Sequence, residues 1–374
     1  MNNNTDNDLK REISLVRSTP PAVADIEGAF KKALTQIADD SFCARLIQQH
    51  RFGGTLRDKE AASQWLERRF GERIDPDRVI VTASAQNAMS ILLSFLARPG
   101  DAVMVEDLSY HGLRMIASSR GNILLPVRMD EEGALPAAVL QAIRQRRPKA
   151  AFFMPTLHNP TTAIMSEERR SAIAEIARQN GVVLIEDDVY GGLVRNAPRP
   201  IAASAGDVTW HITSFAKTVG PGVRLAYIVA PTAPAADILV KSLQGVSYWF
   251  PAPLAAEIAQ RWIFEGTMAA LCESVRQEAL IRQEIAGDCL AQLRMKTKPE
   301  CLFSWLELPD GIKQAHLVNE ARKQGIILRP GKIFEEAPGA SKGHIRLVFG
   351  SPDTRQDLRY ALEMLVKIIR ETAS

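Results

Sequence analysis

The chain reads as an α/β protein built on a large, mostly parallel sheet, with a smaller α+β part toward its C-terminus. Three observations carry that reading. Between Arg78 and Pro231, seven short apolar runs alternate with helix-patterned segments. The runs are continuously apolar, as strands covered on both faces require, and do not alternate in polarity. The segments between them carry helix stops, such as Asn180-Gly181 closing the pattern over 167–180.

Taken in order, residues 1–24 form a polar arm ending in Thr19-Pro20-Pro21, and 22–49 carry a helix-like pattern. The seven runs then fall at 79–81, 102–105, 123–125, 150–154, 182–185, 208–212 and 225–229. Residues 252–290 read as long helices, and 301–308, 325–328 and 344–349 as strands of the second part. The expected division is an arm over 1–24, a large domain over 46–245, and a small domain combining 25–45 with 246–374.

Composition excludes several classes. The 374 residues are 46% hydrophobic and 24% charged, ordinary for a globular protein. Lys+Arg 46 against Asp+Glu 43 leaves +3, too balanced for a nucleic-acid or membrane partner. The start, Met1-Asn2-Asn3-Asn4, has no apolar signal region, and the most apolar stretch, 88–97, is too short to span a bilayer. Cys43, Cys272, Cys289 and Cys301 are scattered, which reads as reduced core thiols in the cytoplasm. The six histidines are dispersed without an HExxH pattern, so no metal site is expected.

In parallel sheets ligands gather at the carboxyl ends of strands, and each end here offers a candidate. Lys217 lies in Ser214-Phe215-Ala216-Lys217-Thr218-Val219-Gly220-Pro221, a tight loop after a buried strand. A lysine in such a place loses its charge readily and becomes a nucleophile toward a carbonyl, although a surface lysine in a polar loop is the plainer reading. Ser214 and Arg224 flank it as phosphate ligands, which suggests pyridoxal phosphate (PLP). After 79–81, Ser84-Ala85-Gln86-Asn87 opens an apolar helix; it is an anion-binding N-terminus or a simple cap. Tyr110 follows 102–105 and either stacks on a ligand ring or covers a sheet edge. Asn159 either donates to a phenolate oxygen or sets a turn before Pro160. Glu186-Asp187-Asp188-Val189-Tyr190 puts acids at a buried strand end, which calls for a cation: a pyridinium nitrogen or neighbouring basic side chains. Arg346 sits within the apolar 345–349 and needs a carboxylate, from a substrate or from an internal acid.

Together these segments, in this order, resemble the fold-type I PLP-dependent enzymes of the class I/II aminotransferase family, from about residue 20 to the C-terminus. The resemblance implies a large domain with a mostly parallel seven-stranded sheet and a smaller α+β domain. It implies that Lys217 carries the cofactor, Asp187 pairs with its ring nitrogen, Asn159 and Tyr190 contact its phenolate oxygen, and Tyr110 stacks on its ring. Ser84, Ala85, Gln86, Ser214 and Arg224 would hold the phosphate, and Arg346, with Asn159, the substrate α-carboxylate. Within the family, 82–88, 186–190 and Leu308-Pro309-Asp310-Gly311 most resemble the aminotransferase-like domain of MocR-type regulators and the aminoadipate/kynurenine aminotransferases. The DNA-binding module of those regulators is not expected here. The chain departs from the family at Ser84, Asn87 and Thr162, and it lacks the tyrosine before Gly53-Gly54 that reaches the neighbouring subunit's phosphate; His50 or Arg51 would replace it.

The implied activity is transfer of an amino group between an α-amino acid and a 2-oxo acid, by a homodimer whose arm lies across the partner. The alternatives are a non-catalytic PLP/amino-acid sensor, or another PLP enzyme such as a β-lyase, decarboxylase or cyclase. Tyr248, Trp249, Phe250 and Phe334 form either an aromatic substrate wall or part of a dimer interface.

Overall fold

The computed structural model describes residues 12–243 and 250–373; Tyr248 and Trp249 lie outside them. All seven apolar runs become strands of one sheet: β1 (Val79–Thr82), β2 (Ala102–Glu106), β3 (Ile123–Val127), β4 (Ala150–Phe153), β5 (Val183–Asp187), β6 (Thr209–Ser214) and β7 (Ala226–Val229). Their order is β1-β7-β6-β5-β4-β2-β3. Only β7 runs against the others. Six strands therefore end at one edge, and the β6–β7 connection carrying Lys217 lies on that same edge.

The runs are continuous because successive side chains enter different cores. Val103, Val105, Phe152 and Ile185 pack with Ile91 and Leu92 of helix α3 (Ala85–Leu96). Met104, Phe153 and Leu184 pack with Ile173 and Ala177 of helix α4 (Glu167–Asn180). Each such buried side chain contributes about 1.5–3 kcal/mol. Helix α4 starts at Ser166, whose hydroxyl accepts from Arg169 N, and stops at left-handed Gly181, as the Asn180-Gly181 signal predicts. The helix-like 22–49 splits into α1 (Asp25–Ala38) and a short turn of helix over Arg45–Gln48. Helix α2 (Leu56–Phe70) is fixed at its start by a reciprocal Thr55–Asp58 capping box. The long C-terminal helices are α5 (Pro253–Phe264) and α6 (Thr267–Cys289).

The α/β class with a second, smaller sheet is thus what the chain adopts. Strands β8 (Phe303–Glu307) and β9 (His344–Val348) pair antiparallel, with Trp305 opposite Arg346. Leu358, Leu362 and Leu365 of helix α7 (Arg355–Ala373) pack with Leu306, Leu347 and Ala286. The arm differs from its polar expectation. Ile13 and Leu15, two residues apart, enter this same core, and Ile13–Ser14 pairs in parallel with Ile326–Ile327. Leu15 O accepts from Val348 N at 2.9 Å. The described part of the arm thereby packs on its own chain, beside the strand ends. Among the described residues no helix is long and apolar enough to cross a membrane.

Candidate active site

The strand ends, the arm and β9 enclose a cavity of about 300 Å³. It is lined by every residue that sequence reasoning assigned to the cofactor and substrate: Ser84, Ala85, Gln86, Tyr110, Asn159, Asp187, Tyr190, Ser214, Lys217, Arg224 and Arg346. They come from the carboxyl ends of five strands, the β6–β7 connection and β9, so only the sheet brings them together.

Lys217 Nζ donates to the carbonyl of Ser18 in the arm at 2.7 Å. Burial lowers its pKa to about 8, and the positive charge of Arg346 adds to this against the opposing pull of Asp187. Its neutral, nucleophilic form is thus accessible near neutral pH.

The three acids at the end of β5, Glu186, Asp187 and Asp188, divide by the alternation of the strand. Glu186 accepts from Ile201 N and Ala202 N at 2.8 and 3.0 Å, with Arg170 at 3.4 Å. Asp188 receives the fork of Arg69 at 2.8 and 3.1 Å and lies 3.4 Å from His211 Nε2. Burial alone would raise its pKa, but Arg69 and His211 hold it well below the usual carboxylate range. Asp188 faces a different cavity, of about 320 Å³, lined also by Thr213 and Thr218, whose chain neighbours Ser214 and Lys217 line the first. Asp187, between the two paired acids, has among the described residues only the backbone N–H of Val189, at 3.3 Å. Buried without an ion-pair partner, its carboxyl is pushed up to about 7, mainly by loss of water. Such a carboxyl is completed by an incoming cation.

The opposite wall suits an anion. Ser84 caps α3 by accepting from Asn87 N at 3.1 Å, which leaves the first-turn amides of Ala85 and Gln86 pointing out of the helix. The buried Ser214 hydroxyl has no partner among the described residues. Arg224, exposed and left-handed at φ 47°, lines the same wall. Tyr110 is held by Gln86 Nε2, which donates to its hydroxyl at 2.6 Å. Its ring lies so close over Gly112 that a Cβ there would meet it at 2.5 Å. An electron-poor ring between Tyr110, the Asp187 carboxyl and the anion wall is what this donor set fits. The uncompensated acid, the orphaned Ser214 hydroxyl and the depressed lysine together match pyridoxal phosphate.

Arg346 resolves the alternative left open by the sequence. Among the described residues no acid meets it: Nη1 donates to Asn159 Oδ1 at 2.7 Å, Nη2 to Val16 O at 2.6 Å, and Nε has no partner. The guanidinium lies 4.9 Å from the centre of the Phe334 ring, which places that aromatic under the arginine. Burial lowers its pKa to about 10, so it remains a cation without an anion. Asn159, with its oxygen committed to Arg346, turns its NH₂ group to other partners. Tyr190 is fully buried with its pKa raised by burial.

Sequence reasoning missed Val16 and Ser18, whose contribution is two backbone carbonyls that no side-chain pattern reveals. It also missed Arg69, which pairs with Asp188 from a helix 119 residues away, and Arg170, which pairs with Glu186 from helix α4, the helix that precedes β5. Arg51, offered as a replacement for the family's tyrosine, is bound at 2.8 Å to both Asp58 and Glu257 of its own chain.

Residues 31–365 match the family model "Aminotransferase class I and II". An uncharacterized HTH-type transcriptional regulator of Bacillus subtilis is 28% identical over 319 residues, covering 85% of this chain and 68% of that protein. The 2-aminoadipate transaminase of Thermus thermophilus is 26% identical over 294 residues, 75% of this chain and 72% of its own length. Among solved structures, the kynurenine aminotransferase of Pyrococcus horikoshii, in complex with PMP, superposes with a TM-score of 0.86 at 22% identity, covering 98% and 93% of the two chains. The α-aminoadipate aminotransferase of Thermus thermophilus, complexed with N-(5'-phosphopyridoxyl)-L-leucine, gives 0.85 at 23%, covering 98% and 94%. The fold is that of fold-type I, and the chain belongs to the class I and II aminotransferase family, whose cofactor is pyridoxal phosphate.

Proposed function

We propose that this chain exchanges an amino group between an α-amino acid and a 2-oxo acid at the cavity around Lys217. The single observation that carries this reading is the buried Arg346, with no acid of its own among the described residues, facing the same cavity as the depressed lysine. When bound, pyridoxal phosphate supplies an electron sink that weakens the bonds at the substrate Cα. Asp187 would hold its ring nitrogen protonated. Asn159 Nδ2 and the Tyr190 hydroxyl would meet its phenolate oxygen, and Tyr110 would cover its ring. The amides of Ala85 and Gln86, with Ser84, Ser214 and Arg224, would hold its phosphate. Arg346 would take the α-carboxylate in a two-point contact, together with Asn159. That contact fixes Cα beside Lys217 Nζ, which accepts its proton and redelivers it; a positioned base of this kind contributes about 10²–10⁴-fold.

The active form is a homodimer. Residues 42–56 leave Phe42 57%, Ile47 91%, Phe52 43% and Leu56 63% exposed, an amount of apolar surface that a second copy would cover.

Borohydride should fix the cofactor covalently at Lys217. Incubation with single amino acids and a 2-oxo acid should then yield the oxo acid of the donor and the amino acid of the acceptor. Pyruvate with ammonia would identify an eliminating enzyme instead, and binding without turnover a sensor. Cofactor trapped at another lysine would overturn the assignment.

A further inference from the structure

The loop that carries Asn159 is closed on itself and held from behind by one buried arginine. Thr156 and Ile164 pair across it, and Met165 N donates to Pro155 O at 2.8 Å. Arg170, in the first turn of α4 and 2% exposed, reaches both stems of this loop. Its Nε donates to Met165 O at 2.9 Å, and its Nη2 donates to Pro155 O at 2.8 Å and Thr156 Oγ1 at 3.0 Å. Its Nη1 meets Glu186, the neighbour of Asp187, at 3.4 Å.

The Thr156 hydroxyl ties in the other neighbour of Asp187. Besides Arg170, it accepts from Arg69 Nη2 at 3.1 Å, the same nitrogen that donates to Asp188 Oδ1 at 3.1 Å. Thr156, Glu186 and Asp188 are all buried, so a lost partner would leave a charge-assisted contact unmade and costly. Glu186 and Asp188 flank Asp187 on either side, and Thr156 stands at the stem of the loop that ends in Asn159. The two arginines and the shared hydroxyl therefore set how far the strand end with Asp187 lies from the loop with Asn159. Those two side chains would meet the cofactor ring at separate points, its nitrogen and its phenolate oxygen.

We propose that Arg170 and Thr156 are positioning residues that fix the spacing between Asp187 and Asn159. Neither lines the cavity, so neither touches cofactor or substrate. The inference rests on the cavity being the aminotransferase site, but its test reads cofactor binding separately from turnover.

Thr156→Val removes the shared acceptor at nearly constant shape, and Thr156→Ser keeps it. Pyridoxal phosphate is titrated into the cofactor-free form of each variant to give its dissociation constant. The pH midpoint of the bound cofactor's absorption change, kcat/KM for an active amino acid and thermal unfolding are measured alongside. Thr156→Val should weaken cofactor binding several-fold and move the absorption midpoint by about one unit, the size of one weakened hydrogen bond to a charged group. It should lower kcat/KM roughly ten- to a hundredfold, the scale of a displacement approaching 1 Å. Thr156→Ser should stay within a few-fold of wild type in binding and turnover. A Thr156→Val protein that loses thermal stability alone, with binding, midpoint and kcat/KM unchanged, would overturn the proposal. Equal losses in the two variants would also overturn it, because the hydroxyl would not be the link. If Thr156→Val does not fold, Arg170→Lys carries the test: it keeps a charge beside Glu186 but cannot hold both stems of the loop. The same shifts would then support the spacing role, and unchanged binding and midpoint would refute it. Failure of the wild type to transaminate would refute the functional reading instead, without moving the cofactor-binding comparison.

Discussion

Arg346→Lys separates recognition of the substrate from the chemistry. Arg346 is 5% exposed, and its two Nη atoms already hold Asn159 and the arm carbonyl of Val16 at 2.7 and 2.6 Å. A lysine keeps the charge but has one ammonium group, so it cannot hold Asn159, Val16 and a carboxylate from one plane. Losing one charge-assisted hydrogen bond costs about 1.5–3 kcal/mol. At tenfold per 1.4 kcal/mol this is roughly a 10- to 150-fold loss of kcat/KM. The assay compares α-amino acids with simple amines that lack the carboxylate. The amino acids should show the full loss and the amines much less, with the cofactor's absorption spectrum intact. Equal losses for both classes would show that Arg346 serves the fold alone, and the α-amino acid assignment would lose its main support.

Asp187→Asn should keep the cofactor yet lose most turnover, whereas Asp188→Asn should mainly destabilise the protein, by about 3 kcal/mol in thermal or denaturant unfolding, because it strands the partly buried Arg69. In the cofactor-free protein, the Asp187 carboxyl titrates at about 7, above its ordinary 3.8, so the native state holds a proton that the unfolded chain has released. Its contribution to stability therefore falls as pH rises from about 4 to 7, and Asp187→Asn should flatten that part of the pH–stability curve. Labelling of cofactor-free enzyme by an amine-reactive reagent should reach half its maximal rate at Lys217 near pH 8; a midpoint near 10.5 would refute the depressed lysine. Gly350→Ala would place a Cβ 2.3 Å from Thr19 O and push the arm off β9. With the Val16 and Ser18 carbonyls displaced, KM for amino acids should change roughly fivefold, the scale of about 1 kcal/mol, and an unaltered KM would show that the arm does not shape the site.

The sequence by itself determined the sheet and named residues that the fold brings together around one cavity. Short continuous apolar runs such as Ala150–Phe153, repeated between helix-patterned segments, fit strands covered on both faces, and a parallel sheet concentrates function at its strand ends. Residues with costly chemistry in apolar settings, Lys217, Asp187 and Arg346, therefore stood out without coordinates. Tertiary structure alone decided which partner each one has. Asp187 and Asp188 are equal in the sequence; the pleat sends one to the cavity and the other to Arg69, on a helix 119 residues away. The absence of an acid beside Arg346 follows from how β9 meets β4's following loop and the arm, a long-range packing that no local pattern encodes. The arm read as polar because its first residues are, yet Ile13 and Leu15 bury themselves, and its contribution to the site is made by carbonyls, which every residue has. Backbone groups carry no sequence signature, so their placement is visible only once the chain is folded.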